Sequence, residues 1–288
     1  VNAMALVAPA LARAHRVLPR AAGYVHTAMF VNTRGLGSAP NDLCPLGAER
    51  VAVAGVPRVA AVYRWGGGDP TVLALHGWGT ESTTMTPVAD AAVAAGATVI
   101  SFDAPGHGAS PGSQATITEY ARAVREVLQH FSSIHTVVAH SLAAIAAVGA
   151  VAESCASNVR SMLLLAPACS LARVLDRWVA DRGLPAGVGQ LIERELARRD
   201  GIAVSHWDIR TLALPAAVDV TIIHDPGDRS VPLADSHLIA AAVPAHIQHV
   251  AAGTGHHAIV GSDEMRTALA ATLHCEPSRT GRYRDVGE

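Results

Sequence analysis

Hydrophobic and polar positions along this 288-residue chain fall into two rhythms. Short continuous apolar runs occur at Thr71–Leu75, Ala97–Asp103, Thr136–Ala139, Ser161–Leu165, Val218–His224 and Ile247–Val250. Each is of strand length and bounded by glycine, proline or polar residues, the pattern of strands buried on both faces. Between them lie segments with helical character. Pro87–Ala95 is stopped by Gly96. Thr118–Phe131 puts Tyr120, Val124, Val127, Leu128 and Phe131 on one face, with Thr118 as the cap. Leu142–Ala152, Ala234–Ala242 and Asp263–Leu273 complete the series. Upstream, Val51–Val56 and Val59–Trp65 flank Pro57-Arg58 and predict a hairpin, followed by a turn at Gly66–Pro70. Strands alternating with helices predict an α/β architecture: right-handed βαβ units, a mostly parallel central sheet and helices on both faces.

The rhythm breaks once. Residues 168–214 hold two helical stretches, Leu171–Ala180 and Val188–Arg199, with no strand between them. This is an insertion between consecutive strands. Leu171, Val174, Leu175 and Trp178 make one apolar face, and Leu191, Ile192 and Leu196 another. These faces serve to pack the helices on the sheet, to cover a pocket, or both. The expected organisation is an N-terminal extension over 1–50, a core over 51–167 and 215–276, the helical insertion over 168–214, and a polar tail over 277–288. Residues 4–18 read as a short surface helix.

Composition narrows the function classes. Half the residues are hydrophobic, enough for a sizeable core, and the formal net charge is −2. All 22 basic residues are arginine. Nothing in this balance points to nucleic acid or to an anionic membrane surface. Cys44, Cys155, Cys169 and Cys275 lie far apart, without a CxxC spacing, and are expected to be free thiols. His224, His237, His246 and His249 make no convincing metal set, so neither metal nor cofactor is expected. The apolar opening Val1–Ala12 is too short to span a bilayer and lacks a preceding basic cluster. The expectation is a cytoplasmic protein acting on a small molecule; the sequence is compatible with a homo-oligomer.

The chemistry gathers where strands end. Ser141 stands at a strand-to-helix joint, in VVAHSLAAIAAVGAVA. Alone it would read as a helix N-cap. But the carboxyl ends of parallel strands are where functional groups collect, and the other ends here are equally polar. They carry HGWG (His76–Gly79), DAPGHGAS (Asp103–Ser110), DPGDRSVP (Asp225–Pro232) and GTGHHAIV (Gly253–Val260).

On LALHGWG, FDAPGHGAS, AHSLA, IIHDPGDRSVP and GTGHH, in that order, the chain resembles an α/β hydrolase over residues 51–273, most nearly a group of bacterial hydrolases with the same segments. The resemblance implies the α/β-hydrolase fold and a serine hydrolase that works through an acyl-enzyme. It implies Ser141 as nucleophile, His256 as base in the loop after the last strand, and an acid in HD-x-x-D-x-x-VP. Asp225 and Asp228 are both candidates; the family segment favours Asp228, with Asp225 bracing the turn. His257 is the competing base, but adjacent loop residues point different ways. The backbone N–H groups of Trp78 and Leu142 are the implied oxyanion hole. His76, His107, His140 and Asp103 are read as loop-shaping. The insertion sits where such proteins carry a lid. One departure stands out: Ala139 and Ala143 replace the glycines of G-x-S-x-G. Each adds a methyl at a crowded turn, so a strained elbow is expected, with Ser141 in a sparsely populated backbone region. An ester is the favoured substrate, with thioester, amide or carbon–carbon bond cleavage, or ligand binding with little turnover, as alternatives.

Overall fold

The computed structural model describes residues 19–34 and 43–274, apart from 54, 57, 70, 155–157, 186 and 251. The expectations for residues 4–18, Cys155, Cys275 and the C-terminal tail lie outside the described residues. Eight strands form one sheet in the order β1-β2-β4-β3-β5-β6-β7-β8. They are β1 (Glu49–Val51), β2 (Val62–Trp65), β3 (Thr71–Leu75), β4 (Thr98–Phe102), β5 (Ile134–His140), β6 (Ser161–Leu165), β7 (Asp219–His224) and β8 (Ala245–His249). β1 and β2 are antiparallel; β4, β3, β5, β6, β7 and β8 are parallel. The helices are α1 (Pro19–Phe30), α2 (Thr86–Ala94), α3 (Ile117–His130), α4 (Ala143–Ala152), α5 (Leu171–Asp181), α6 (Val188–Asp200), α7 (Leu233–Ala242) and α8 (Asp263–His274).

Strand side chains alternate between two cores, as a period of two requires. Leu73, Leu75, Val137 and Ala139 join α3, α4 and the insertion helices on one face. Val72, Ala74 and Val138 join α2 and α8 on the other. Helix α4 is buried along its first nine positions, which explains its alanine content: bulkier residues would hold it away from the sheet.

Two local expectations are corrected. The hairpin is wider than two residues: β1 and β2 pair Val51 with Val62, and residues 52–61 form the connection. Pro57 lies outside the described residues. The cap of α3 is Thr116, not Thr118. Its hydroxyl accepts from Glu119 N while the Glu119 carboxylate accepts from Thr116 N at 2.9 Å, a capping box. Thr118 Oγ1 instead accepts from Trp207 Nε1 at 3.2 Å.

Residues 168–214 carry α5 and α6, and their two ends are stitched together. Leu171 N donates to Trp207 O at 2.8 Å and Ile209 N to Cys169 O at 3.0 Å. Helix α1 packs along α6, with Gly23 against the Leu191 carbonyl, where an added methyl would stand 3.3 Å away. The N-terminal segment therefore lies on the insertion. Cys169 is buried and Cys44 exposed, both free. Among the described residues no helix is long and apolar enough to cross a membrane.

Candidate active site

Ser141 links β5 to α4 with φ of 58°, in the left-handed region that non-glycine residues rarely enter. Holding it there costs of order 1–3 kcal/mol. Neighbouring chain supplies the restraint: Ser141 N donates to Leu165 O at 2.8 Å, and Ala168 N donates to Ser141 O at 3.3 Å. Ala139 and Ala143 are both fully buried, so the two extra methyls are accommodated in the core.

Asp228 follows β7. Its Oδ1 accepts from Ser230 N at 2.7 Å and Val231 N at 3.1 Å, which fixes the carboxylate plane. Its Oδ2 faces His256 Nδ1 at 2.6 Å. A carboxylate only accepts, so Nδ1 carries the proton and Nε2 is left as an acceptor. His256 Nε2 lies 2.9 Å from Ser141 Oγ. The structure thus brings Ser141, His256 and Asp228 into one hydrogen-bonded chain. Burial pushes the Asp228 carboxyl up, but the bonds from His256 and the backbone amides outweigh it and leave it below the ordinary range. His257 is exposed, its ring 5.2 Å from that of His256.

Asp225 does different work. Its carboxylate accepts from Gly255 N at 2.7 Å, Gly227 N at 2.7 Å and Gly253 N at 3.1 Å. It ties the loop after β7 to the loop that presents His256. The Gly255 amide leads in holding its carboxyl below the usual range, against the opposing effect of burial. Asp103 similarly gathers Ser82 N at 2.8 Å, Ala109 N at 2.9 Å and the Tyr63 hydroxyl at 3.1 Å.

The histidines read as loop-shaping are buried and neutral. His76 Nε2 accepts from Ala104 N at 3.0 Å, and burial lowers its pKa. His107 Nδ1 donates to Pro105 O at 2.9 Å, and burial first, then His76, pushes it down to about 3. His140 is also pushed down to about 3, by burial and then by His256. Its Nε2 donates to the His256 carbonyl at 2.8 Å, and a methyl on Gly77 would stand 2.8 Å from its Nδ1. His140 therefore fills the space between the HGWG loop and the loop of His256. The same methyl would stand 3.4 Å from Ser141 Cβ, so HGWG runs directly beside the serine. The N–H groups of Trp78 and Leu142 have no hydrogen-bond partner among the described residues.

Above Ser141 and His256 opens a cavity of about 360 Å³. Trp78, Leu142, Leu171, Val174 and Trp178 are on its wall, together with Met29 and Phe30 of α1. Phe30 meets Trp178 edge-on with ring centroids 5.4 Å apart. The sequence pattern did not identify α1 as part of the wall, because the contact depends on α1 docking against the insertion. Arg177, Asp181, Arg182, Asp200 and Trp207 also line the cavity and carry no motif that marks them. Among the described residues no cluster of His, Cys, Asp and Glu has the makings of a metal site.

A family model described as serine aminopeptidase, S33, matches residues 68–198. Curated protein sequences give no match. Many solved structures share the fold. Mouse alpha/beta hydrolase domain-containing protein 10 superposes with a TM-score of 0.59 at 18% identity, covering 78% of this chain and 96% of that one. The Pyrococcus furiosus esterase Pf2001 gives 0.56 at 17% identity, over 82% and 97% of the two chains. The thioesterase domain from the curacin biosynthetic pathway gives 0.53 at 15% identity, over 78% and 98%. At these identities the likeness concerns the fold.

Proposed function

We propose that this chain, which matches a serine aminopeptidase S33 family model over residues 68–198 and shares the α/β-hydrolase fold of its structural neighbours, is a serine hydrolase cleaving an acyl bond, foremost a carboxylic ester, of a small or medium substrate. The observation that carries this reading is the chain Ser141 Oγ–His256 Nε2–Asp228 at 2.9 and 2.6 Å. A serine hydroxyl is a weak nucleophile near neutrality and needs a base within reach and a partner that orients the base.

In the proposed reaction Ser141 Oγ attacks the acyl carbonyl as His256 Nε2 takes its proton. Asp228 holds the imidazole in the required tautomer and stabilises the imidazolium. The N–H groups of Trp78 and Leu142 receive the oxyanion, aided by the positive end of α4. His256 then protonates the leaving group, and water, activated by the same imidazole, hydrolyses the acyl-enzyme. Residues 168–214 act as the lid, and α1 completes it from outside. A cavity of about 360 Å³ with a mainly apolar wall suits a short or medium acyl chain. The name of the matching family gives an aminopeptidase as the second reading.

A panel of p-nitrophenyl esters, acyl thioesters and aminoacyl anilides distinguishes these readings. The expected result is turnover of esters of up to medium chain length, reduced by several orders of magnitude in Ser141→Ala. Ester turnover in Ser141→Ala close to wild type rejects the mechanism. Anilide turnover without ester turnover would select the peptidase.

A further inference from the structure

We propose that Arg177 is a specificity-determining residue that binds an anionic group, a carboxylate, at the end of the substrate remote from the scissile bond. The inference rests on the proposed acyl-bond hydrolysis and names the substrate class for that site.

Arg177 projects from α5 onto the cavity wall that also includes Ser230 and Val231, next to Asp228 in the chain. It is the anchoring that makes it distinctive. Asp235, in the first turn of α7, is fully buried. Its carboxylate accepts from Arg173 Nε at 2.9 Å, from Cys169 N at 3.1 Å and from Arg177 Nη1 at 3.1 Å. One carboxylate thus serves two guanidiniums. The neighbouring carboxylate Asp208 is occupied by Arg210, at 2.6 Å. The group formed by Arg173, Arg177, Arg210, Asp208 and Asp235 therefore carries one surplus positive charge.

That surplus has an outlet into the cavity. Only Nη1 of Arg177 is engaged; Nε and Nη2 meet no partner among the described residues. A guanidinium edge with parallel N–H donors, fixed by a buried anion on its far side, matches the two oxygens of a carboxylate. An arginine placed merely to tie α5 to α7 would have no need to face the cavity; Arg173 makes that tie without lining it.

The other charges on the wall do not cancel this one. Asp181 and Arg182 are exposed and of opposite sign. Arg182 rests over the Trp178 ring at 4.3 Å. Asp200 is bonded by the Thr118 and Thr116 hydroxyls, and burial raises its pKa. The substrate that fits is an acyl ester with an apolar middle, to lie along Leu171, Val174 and Trp178, and a distal carboxylate.

The test compares p-nitrophenyl esters of dicarboxylic acids with one free carboxyl against esters of equal chain length ending in methyl. Wild-type enzyme should show a higher kcat/KM for the acid at one chain length. In Arg177→Met that preference should shrink roughly 10- to 100-fold, the share of a charge-assisted hydrogen bond pair, mainly through KM. Arg173→Met removes the surplus charge but leaves the free Nε and Nη2 donors of Arg177 in place, and should lose clearly less of the preference than Arg177→Met. Fluorophosphonate labelling of Ser141 in each variant reports separately on the nucleophile. If Ser141 fails to label, the hydrolytic reading falls, and calorimetric binding of adipic acid monomethyl ester to wild type and Arg177→Met decides the role of Arg177 alone. Equal preference in Arg177→Met and wild type, no preference for the acid at any chain length, or equal binding of the monoester to both proteins overturns the proposal.

Discussion

Two aspartates three residues apart have separate environments, and the difference is chemical. Asp228 turns one oxygen to His256 and uses the other to bind amides. Asp225 spends its carboxylate on the amides of Gly227, Gly253 and Gly255. Under the proposed mechanism, Asp228→Asn offers His256 an amide in place of a carboxylate, so the wrong tautomer forms. The expected loss is about 10⁴-fold in kcat with the fold retained. In Asp225→Asn an NH2 group faces backbone donors at one oxygen position. The expected effect there is a lower unfolding midpoint and a much smaller loss of kcat. Steady-state kinetics with urea unfolding on both variants separates the roles; an Asp225→Asn enzyme slower than Asp228→Asn would reverse them. The motif positions named Ser141, Asp228 and His256 as candidates, and in the structure these three are hydrogen-bonded in the order Ser141–His256–Asp228. What they did not contain is how the neighbours hold them. That His140 donates to the His256 carbonyl depends on the end of β5 meeting a loop 116 residues further along the chain.

At the scale of elements, the α4 helix shows how tightly the site is backed. Gly149 lies beneath Trp207, and an added methyl would stand 2.7 Å from its Cζ3. The indole has little room to yield: it is buried and its Nε1 is bonded to Thr118 Oγ1 at 3.2 Å. Alanine is the better helix former by about 1 kcal/mol. Overpacking a filled core costs about 1–3 kcal/mol. The clash should win, and Gly149→Ala is expected to be less stable by up to about 2 kcal/mol in urea unfolding, with KM raised because Trp207 lines the cavity. A higher midpoint would show that the insertion moves freely on α4. Periodicity located α3 but misplaced its cap, because Thr116 and Thr118 both precede the apolar face; the Glu three residues after Thr116 was the available signal. The sheet edge was harder to read. β2 pairs antiparallel with both β1 and β4, and residues 52–61 separate it from β1, so no tight turn marks the pairing in the sequence.

Across the whole molecule, burial of neutral histidines predicts an acid-sensitive fold. His107 and His140 are both pushed down to about 3 by burial, and His76 and His224 are lowered in the same direction by the same cause. In the unfolded chain each titrates near the ordinary value of about 6.5. Between these values the unfolded state binds more protons than the folded one, so stability rises with pH through that window and falls as pH drops below about 6.5. From pH 7.5 to 5.5, His107 and His140 together should cost about 2–3 kcal/mol of unfolding free energy. Urea titrations at the two pH values measure this; equal stability would mean that these side chains reach solvent. The alternation of strands and helices made the central sheet legible, since it is a local property. The cavity was not, because its wall joins α1, α5, α6 and the HGWG loop, which are far apart in sequence. The measurement that bears most directly on the central claim, an activated serine at residue 141, is fluorophosphonate labelling of the purified protein with the modified peptide mapped by mass spectrometry. The predicted result is a single adduct on Ser141, absent in Ser141→Ala and much slower to form in His256→Ala. Labelling that persists in Ser141→Ala, or no adduct on Ser141 in the folded protein, would contradict it.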